Sequence, residues 1–169
     1  PKINQDFIQK LESYNDQIRR TGRTPRTEVL DFKVMKASQE VAEQLELQPG
    51  DEVIYLHRKR YADDDPIVVL KTYLPYEKCS FVMEHDFEKE SLYAVLSEKD
   101  SVKVYYVKRL AEAVEATSDD AEKLNMKKGK PILYFKTVGC NAFGKPIEYS
   151  LARYRGDKSS FEVTVFTDK

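Results

Sequence analysis

Two stretches decide the fold: KASQEVAEQLELQPGDEVIYL, residues 36–56, and EATSDDAEKLNMKKGKPILYF, residues 115–135. They align without gaps at an offset of 79 positions, and the identical pairs include Ala42 and Ala121, Leu45 and Leu124, Gly50 and Gly129, and Tyr55 and Tyr134. In each copy a short helical pattern leads through a glycine, predicted to end the helix, into a strand pattern. After one inserted residue, Pro66-Ile67 corresponds to Pro146-Ile147. The chain therefore contains a duplicated unit of capped helix, strand, turn and strand.

Two copies are too few for a solenoid, so the duplicated hairpins are expected to share one antiparallel sheet covered by helices. The helix of the first repeat copy is predicted to start directly after Ser38, which serves as its N-cap. Further strands are predicted over residues 27–35, 102–116 and 161–166, and a further helix over residues 89–98. The sequence thus predicts an α+β fold with two related helix-hairpin halves.

The N-terminal segment has a different pattern. Apolar residues near 3.6-residue spacing predict a helix over residues 4–21. RRTGRTPR, residues 19–26, follows with a glycine and a proline that break the helix. We therefore expect residues 1–26 to form a helical linker and residues 27–169 to form the domain proper. The arginines of the linker either lie near DNA or are solvated.

Charge and composition limit the class of protein. The 28 basic and 29 acidic side chains give a net charge of −1, which excludes the broad positive field of a stand-alone nucleic-acid binder. No apolar run approaches the roughly 20 residues that a membrane span needs. Cys79 and Cys140 have no metal-type spacing, so buried, inert thiols in a reducing cytoplasm are expected. Because the chain starts at Pro1, we expect it to be part of a longer protein.

Catalytic and cofactor motifs are not recognisable in the sequence. His57 and His85 belong to no metal-ligand or triad pattern, and no phosphate-binding glycine loop occurs. No cofactor or metal is therefore expected, and nothing in the sequence demands an enzyme.

The stretch HRKRYADDDPI, residues 57–67, places Arg58 and Arg60 two positions apart at the end of a strand. Residues i and i+2 of a strand share a face, so both arginines point to the side of Ile54 and Leu56. Paired guanidinium groups can clamp a phosphate or carboxylate through charge-assisted hydrogen bonds. The alternative is a strand end whose arginines lie in water or pair with Asp63–Asp65.

Two more stretches carry candidate ligand groups. Glu148, Ser150, Ala152 and Tyr154 share one strand face that is small and polar in its middle, whereas a core face would be aliphatic. Ser91 and Tyr93 stand near a helix start, where free N–H groups favour anions. The alternative for this helix is that Ser91 only caps it while the apolar residues pack.

The ordered set of these stretches resembles a known family. TEVLDF, LQPGDEVIYLHRKRYADDDPI, TYLP, SLYAVLSE, AEKLNMKKGKPIL and GKPIEYSLARYRGDKSSFEV follow one another in the order seen in the UTRA effector-binding domain of GntR-superfamily regulators of the HutC subfamily. The resemblance runs from about residue 27 to the C-terminus, and the preceding helix and TGRTPR resemble the interdomain linker of that family.

The resemblance implies a chorismate-lyase-like fold that binds a small metabolite and does not transform it. In members that sense sugar phosphates the two arginines hold the phosphate, a role that carries over to Arg58 and Arg60. The serine and tyrosine of the helix start carry over to Ser91 and Tyr93. Glu148 and Tyr154 carry over as contacts to hydroxyl or amino groups.

The resemblance also implies a cytoplasmic homodimer that reaches operator DNA only through a winged-helix domain preceding this one, and no membrane partner. One position departs from the family. Many relatives have an acidic residue in the strand after the first Pro-Ile, where this chain has Leu70 and Lys71, and that change weakens the expected recognition of an amino sugar. Two alternatives remain: a chorismate-lyase-like enzyme on the same fold, and a dimerisation module with a vestigial pocket.

Overall fold

Residues 3–6 and 14–168 are described by a computed structural model. The elements in chain order are β1 (Ile3–Asp6), α1 (Tyr14–Arg20), β2 (Pro25–Lys36), α2 (Gln39–Leu45), β3 (Glu52–Ala62), β4 (Asp65–Pro75), α3 (Tyr76–Cys79), a 3₁₀ turn (Ser80–Glu84), α4 (Leu92–Leu96), β5 (Tyr106–Glu115), α5 (Ser118–Lys123), β6 (Pro131–Cys140), β7 (Pro146–Arg155) and β8 (Ser159–Glu162). Within these residues no helix is long and apolar enough to cross a bilayer.

The main sheet confirms the predicted α+β fold. Its six antiparallel strands have the order β2-β3-β4-β7-β6-β5. Each repeat contributes one hairpin, β3–β4 or β6–β7, and the two hairpins join along β4 and β7. Lys71 of β4 lies opposite Leu151 of β7, and these two residues also occupy corresponding positions of the repeat. An approximate two-fold axis between the halves therefore passes through this pair.

The two faces of the sheet are covered differently. The repeat helices α2 and α5 lie on one face, where Leu45 packs near Tyr149 and Leu124 packs near Ile132. On the other face, Ile54 and Leu56 are fully buried beneath the segment from α3 to α4. Burial of such an aliphatic side chain stabilises a fold by roughly 1.5–3 kcal/mol. The second face also carries the candidate site residues.

The caps of the repeat helices agree with the sequence prediction at the N-terminus but not at the C-terminus. Ser38 is the N-cap of α2, and its hydroxyl accepts the Val41 N–H at 3.2 Å. The helix ends at Glu46, which adopts the left-handed conformation, whereas Gly50 lies in the turn before β3. The prediction that the glycine ends the helix is therefore wrong. Gly50, with φ of 89°, is needed for a turn in which its N–H reaches the Ala37 carbonyl at 3.1 Å.

The N-terminal helix is shorter than predicted. Residues 14–20 are helical, as expected, but residues 4–6 lie in β1, which pairs in parallel with β8. Residues 7–13 of the predicted helix lie outside the described residues. Backbone pairing with β8 satisfies donors and acceptors that a short, marginal helix would satisfy less well. The last strand is also shifted, because β8 covers Ser159–Glu162 and not residues 161–166.

The linker arginines include one with a structural role. Arg23 forms ion pairs with Asp63 at 3.1 Å and with Asp65 at 2.7 Å, at the turn of the first hairpin. The Thr24 N–H also donates to the Asp63 carboxylate at 2.9 Å. The segment is thus tied to the β3–β4 turn at Arg23, and the carboxylates of that turn are occupied by this arginine.

Candidate functional site

The predicted site residues meet at one cavity on the second face of the sheet. Its lining includes all six of them: Arg58, Arg60, Ser91, Tyr93, Glu148 and Tyr154. Strands β3 and β7 supply four of these side chains, and the start of α4 supplies Ser91 and Tyr93. Helix α1, the loop before α4 and residues of β2, β4, β5 and β6 also line the cavity. The structure therefore brings together residues that are almost 100 positions apart in the sequence.

The two arginines do not extend into water from a strand end. Arg58 is only 3% exposed, and Arg60 is half-buried with its guanidinium 5.0 Å from the centre of the Tyr14 ring. The Nε atoms of both arginines are buried without a hydrogen-bond partner among the described residues. Asp63 and Asp65 pair with Arg23 instead.

The charge of these arginines is poorly compensated. Burial, followed by the neighbouring positive charge of Arg60, lowers the pKa of Arg58 to about 9. Burial likewise lowers the pKa of Arg60. A guanidinium remains protonated near pH 7 even so. Because buried charge is costly unless it is paired, the cavity favours an anion beside these two groups.

A line of hydrogen bonds joins the arginines to Glu148. Arg58 Nη2 donates to Thr72 Oγ1 at 3.0 Å, and Thr72 Oγ1 lies 2.8 Å from Ser150 Oγ. Ser150 Oγ donates to Glu148 Oε2 at 2.7 Å. Since Ser150 has one hydroxyl proton, Thr72 must donate to Ser150. The chain of bonds fixes these polar groups across β3, β4 and β7 before any ligand binds.

Helix α4 is attached to this line through Tyr93. The Tyr93 hydroxyl donates to Glu148 Oε1 at 2.5 Å, and burial, followed by the Glu148 charge, raises the pKa of Tyr93 well above its usual value. Tyr93 thus stays a neutral donor. Ser91 is the N-cap of α4, because its hydroxyl accepts the Ala94 N–H at 3.4 Å. It therefore caps the helix and also lines the cavity.

Several residues in or directly beneath the cavity wall were not predicted from the sequence. Thr72 lies on the same strand face as Leu70, so extending the period-two argument to β4 would have found it. Arg109 of β5 donates through Nε to Thr137 Oγ1 at 3.2 Å, and both line the cavity. No pattern in the sequence of β5 predicted that Arg109 would line the cavity. No pattern in the sequence of α1 predicted this for Tyr14.

The position that departs from the family lies partly in the cavity. Leu70 lines it, opposite Arg58 on β3 and Ala152 on β7. Lys71 points to the other face of the sheet, since neighbouring strand residues alternate. An apolar side chain therefore stands at this position of the cavity lining.

Gly139 sets the position of the Glu148 carboxylate. A Cβ at residue 139 would lie 2.6 Å from Glu148 Oε1. We expect Gly139→Ala to displace this carboxylate, break its bonds to Tyr93 and Ser150, and destabilise the fold by about 1–2 kcal/mol. Urea unfolding measures the change. In a Glu148→Ala background the same glycine change should cost much less, and equal costs in both backgrounds would contradict this explanation.

Comparison with known proteins identifies relatives of the chain. The UTRA domain model matches residues 20–160. The transcriptional repressor NagR of Bacillus subtilis is 27% identical over 161 residues, which cover 95% of this chain and 65% of NagR. The transcriptional regulator GmuR of the same organism is 31% identical over 139 residues, which cover 82% of this chain and 57% of GmuR. The chain thus spans less than two thirds of the length of these relatives.

Solved structures show the same fold. PhnF from Mycobacterium smegmatis matches with a TM-score of 0.91 at 20% identity, over 99% of this chain and 73% of PhnF. A GntR-family regulator from Enterococcus faecalis matches with a TM-score of 0.75 at 30% identity, over 82% of this chain and 99% of that one.

The named relatives are transcriptional regulators. The family model covers most of the chain, and the fold and the family agree. The chain belongs to the UTRA domain family, the C-terminal effector-binding domains of GntR/HutC-type transcriptional regulators.

Proposed function

We propose that this domain binds a small anionic metabolite, with a phosphorylated sugar as the best candidate, and that binding controls the attachment of a longer protein to operator DNA. The observation that carries the proposal is the pair of guanidinium groups of Arg58 and Arg60 at one cavity, whose Nε atoms have no hydrogen-bond partner within the part of the chain that the structure describes. A phosphate offers strong hydrogen-bond acceptors for the two Nε atoms and negative charge for the two buried guanidinium groups.

The opposite end of the cavity suits hydroxyl groups. Glu148 already accepts one hydrogen bond on each oxygen, from Tyr93 and from Ser150. A carboxylate has about four acceptor positions, so it can accept from a ligand hydroxyl as well. Tyr154 lies level with Arg60 across β4 and adds a phenol to the cavity lining near the arginines. With Leu70 in place of an acid, we propose that the ligand presents hydroxyls beside Glu148 and no second anionic group.

Helix α1 is the element through which ligand binding would change the affinity of the longer protein for DNA. Tyr14 of this helix lies against Arg60, and Asn15 and Gln17 also line the cavity. A ligand that binds one arrangement of α1 more tightly than another shifts the population of the two. Such coupling typically amounts to about 1–3 kcal/mol. We propose that the longer protein acts in the cytoplasm as a homodimer, with DNA contacts supplied by a separate N-terminal domain.

Thermal unfolding in the presence of glucose 6-phosphate, glucose or inorganic phosphate tests the proposal. Glucose 6-phosphate should stabilise most, because it fills both ends of the cavity. At a concentration of 100 Kd the stabilisation is about 2.7 kcal/mol, which corresponds to a rise in Tm of roughly 5–10 °C. Glucose alone should give almost no shift. Equal shifts with glucose and glucose 6-phosphate would refute recognition of the anion.

Two further measurements separate the alternatives. Amino acids and carboxylates belong in the same screen, and the absence of any shift with every class would favour a vestigial pocket. Release of product from chorismate by the purified chain would overturn the regulatory proposal in favour of a lyase.

A further inference from the structure

One edge of the main sheet carries a long strand with no partner on its outer side among the described residues. Strand β5, ten residues long, pairs only with β6 and does so without a register shift. Most of its side chains are exposed, including Leu110 at 58% and Tyr106 at 40%. Tyr105 and Phe143 are also exposed on this side of the domain. A flat, regular, partly apolar edge is a template for pairing with another chain.

The other edge of the sheet is protected. Strand β2 has a register shift between Val29 and Asp31, where its pairing with β3 is irregular. The Val29 N–H donates to the Glu88 carboxylate at 2.8 Å. An irregularity and a covering loop are usual ways to block edge pairing. Because β5 has neither device, its edge is suited to a specific partner.

We propose that β5 pairs antiparallel with β5 of a second copy, centred on Leu110, so that the two sheets become continuous. This inference rests on the proposed self-association and adds its surface and register. A two-fold axis through Leu110 places Lys108 opposite the partner's Glu112, twice in the dimer. It also places Tyr106 opposite the partner's Val114 and Leu110 opposite its own copy. Opposite charges and apolar pairs of this kind stabilise antiparallel strands.

The sequence of β5 disfavours the neighbouring registers. An axis through Lys108, Arg109 or Glu112 sets like charges against each other. An axis through Ala111 sets Leu110 opposite Glu112. An axis between two residues is excluded, because directly opposed residues in an antiparallel pair point to the same face while neighbours alternate. Among registers centred from Lys108 to Glu112, the Leu110 register alone joins apolar to apolar and acid to base.

The proposed contact lies beside the cavity. Arg109 projects from β5 to the cavity side, where it lines the wall and donates to Thr137. In the Leu110 register the partner's Ala111 faces Arg109. The strand that joins the two copies thus also forms part of the cavity wall. A ligand that moves β5 would therefore change the contact between the two copies.

Cysteine cross-linking tests the register. The native thiols, Cys79 and Cys140, are at most 5% exposed, so the unmodified chain serves as a background control under mild oxidation. Leu110→Cys should form a disulfide-linked dimer, because residue 110 faces itself across the axis. Lys108→Cys or Glu112→Cys alone should not, but an equimolar mixture of these two variants should give a covalent heterodimer.

Sedimentation equilibrium of the unmodified chain and of charge variants completes the test. Lys108→Glu places two pairs of like charges in the contact and should weaken dimerisation at least tenfold, whereas adding Glu112→Lys should restore most of it. An unmodified chain that sediments as a monomer would refute self-association itself. A dimer in which Leu110→Cys cross-links no better than Lys108→Cys, or in which Lys108→Glu has no effect, would refute this interface while leaving self-association intact. Neither result would touch ligand binding, which the thermal shifts test separately.

Discussion

Replacement of Arg58 by alanine should weaken the binding of glucose 6-phosphate by about 100-fold, with little loss of stability. Arg58 is almost completely buried in the cavity lining, and its Nε has no partner among the described residues. Loss of one member of a buried, charge-assisted pair costs roughly 2–5 kcal/mol of binding free energy, and tenfold in affinity corresponds to about 1.4 kcal/mol. Isothermal titration calorimetry measures the change. Arg58→Lys keeps the charge but loses the planar fork, so we expect an intermediate loss.

The stability of the Arg58→Ala variant should change little, in contrast to its affinity for the ligand. The site holds two positive charges whose burial is poorly compensated, so removing one relieves a cost while deleting one bond to Thr72. The Tm of the unliganded Arg58→Ala variant should therefore stay within about 2 °C of the unmodified chain. Arg26→Ala is the matched control, because Arg26 is exposed and stacks on Tyr61 outside the cavity lining. Unchanged affinity in both Arg58→Ala and Arg60→Ala would remove the arginines from the ligand site.

Replacement of Asp120 by alanine should cause the largest loss of stability among the changes considered. Asp120 is 3% exposed, and its carboxylate accepts hydrogen bonds from Arg153 Nε at 2.8 Å and Nη2 at 2.8 Å. It also accepts the Thr117 N–H at 2.8 Å in the capping box of α5. Alanine leaves a partly buried guanidinium without its partner and removes half of the cap. We expect a loss of about 2–4 kcal/mol in urea unfolding.

Asp119→Ala is the matched control, since Asp119 is the neighbouring, exposed carboxylate and pairs with Lys123 along the same helix. A surface pair of this kind contributes at most about 0.5 kcal/mol. Equal losses for the two variants would show that Asp120 acts only through helix propensity. Retention of most of the stability in Asp120→Asn would instead assign the effect to hydrogen bonding and not to charge.

The same carboxylate predicts a dependence of stability on pH. Burial acts to raise the pKa of Asp120, but the bonds from Arg153 and Thr117 outweigh burial, so the net pKa lies below the ordinary value. A lowered folded-state pKa gives stability that is present above the unfolded pKa and is lost as the pH falls through the folded one. The unmodified chain should therefore lose stability below about pH 4, and the Asp120→Ala variant should show a weaker dependence there.

The duplicated core could be predicted from the sequence because its signals are local. Glycine and proline positions fixed the two hairpins, and period-two alternation placed Glu148 and Tyr154 on one face. The same alternation put Arg58 and Arg60 beside Ile54, which is correct in the structure. Such short-range patterns agree with the structure because the period of the strand determines which side chains face the core.

The features that escaped prediction depend on contacts between distant segments. Strand β1 exists because β8, more than 150 residues later, offers a pairing edge. Arg23 is fixed by the carboxylates of the β3–β4 turn, about 40 residues away. The contact of Tyr14 with Arg60 likewise requires α1 to lie over the sheet. No local pattern specifies these pairings, since each depends on where the rest of the chain has already folded.

The approximate two-fold axis through Lys71 and Leu151 has a further consequence for ligand orientation. By the repeat offset, Arg58 and Arg60 of the first half correspond to Thr137 and Gly139 of the second. The arginine pair of the cavity therefore comes from one half alone, whereas the corresponding positions of the other half are a threonine and a glycine. If the proposed phosphate meets this pair, the ligand has one preferred orientation, because the second half offers no equivalent pair of arginines. Divergence between the two halves of the repeat has thus made the two sides of a symmetric sheet chemically different.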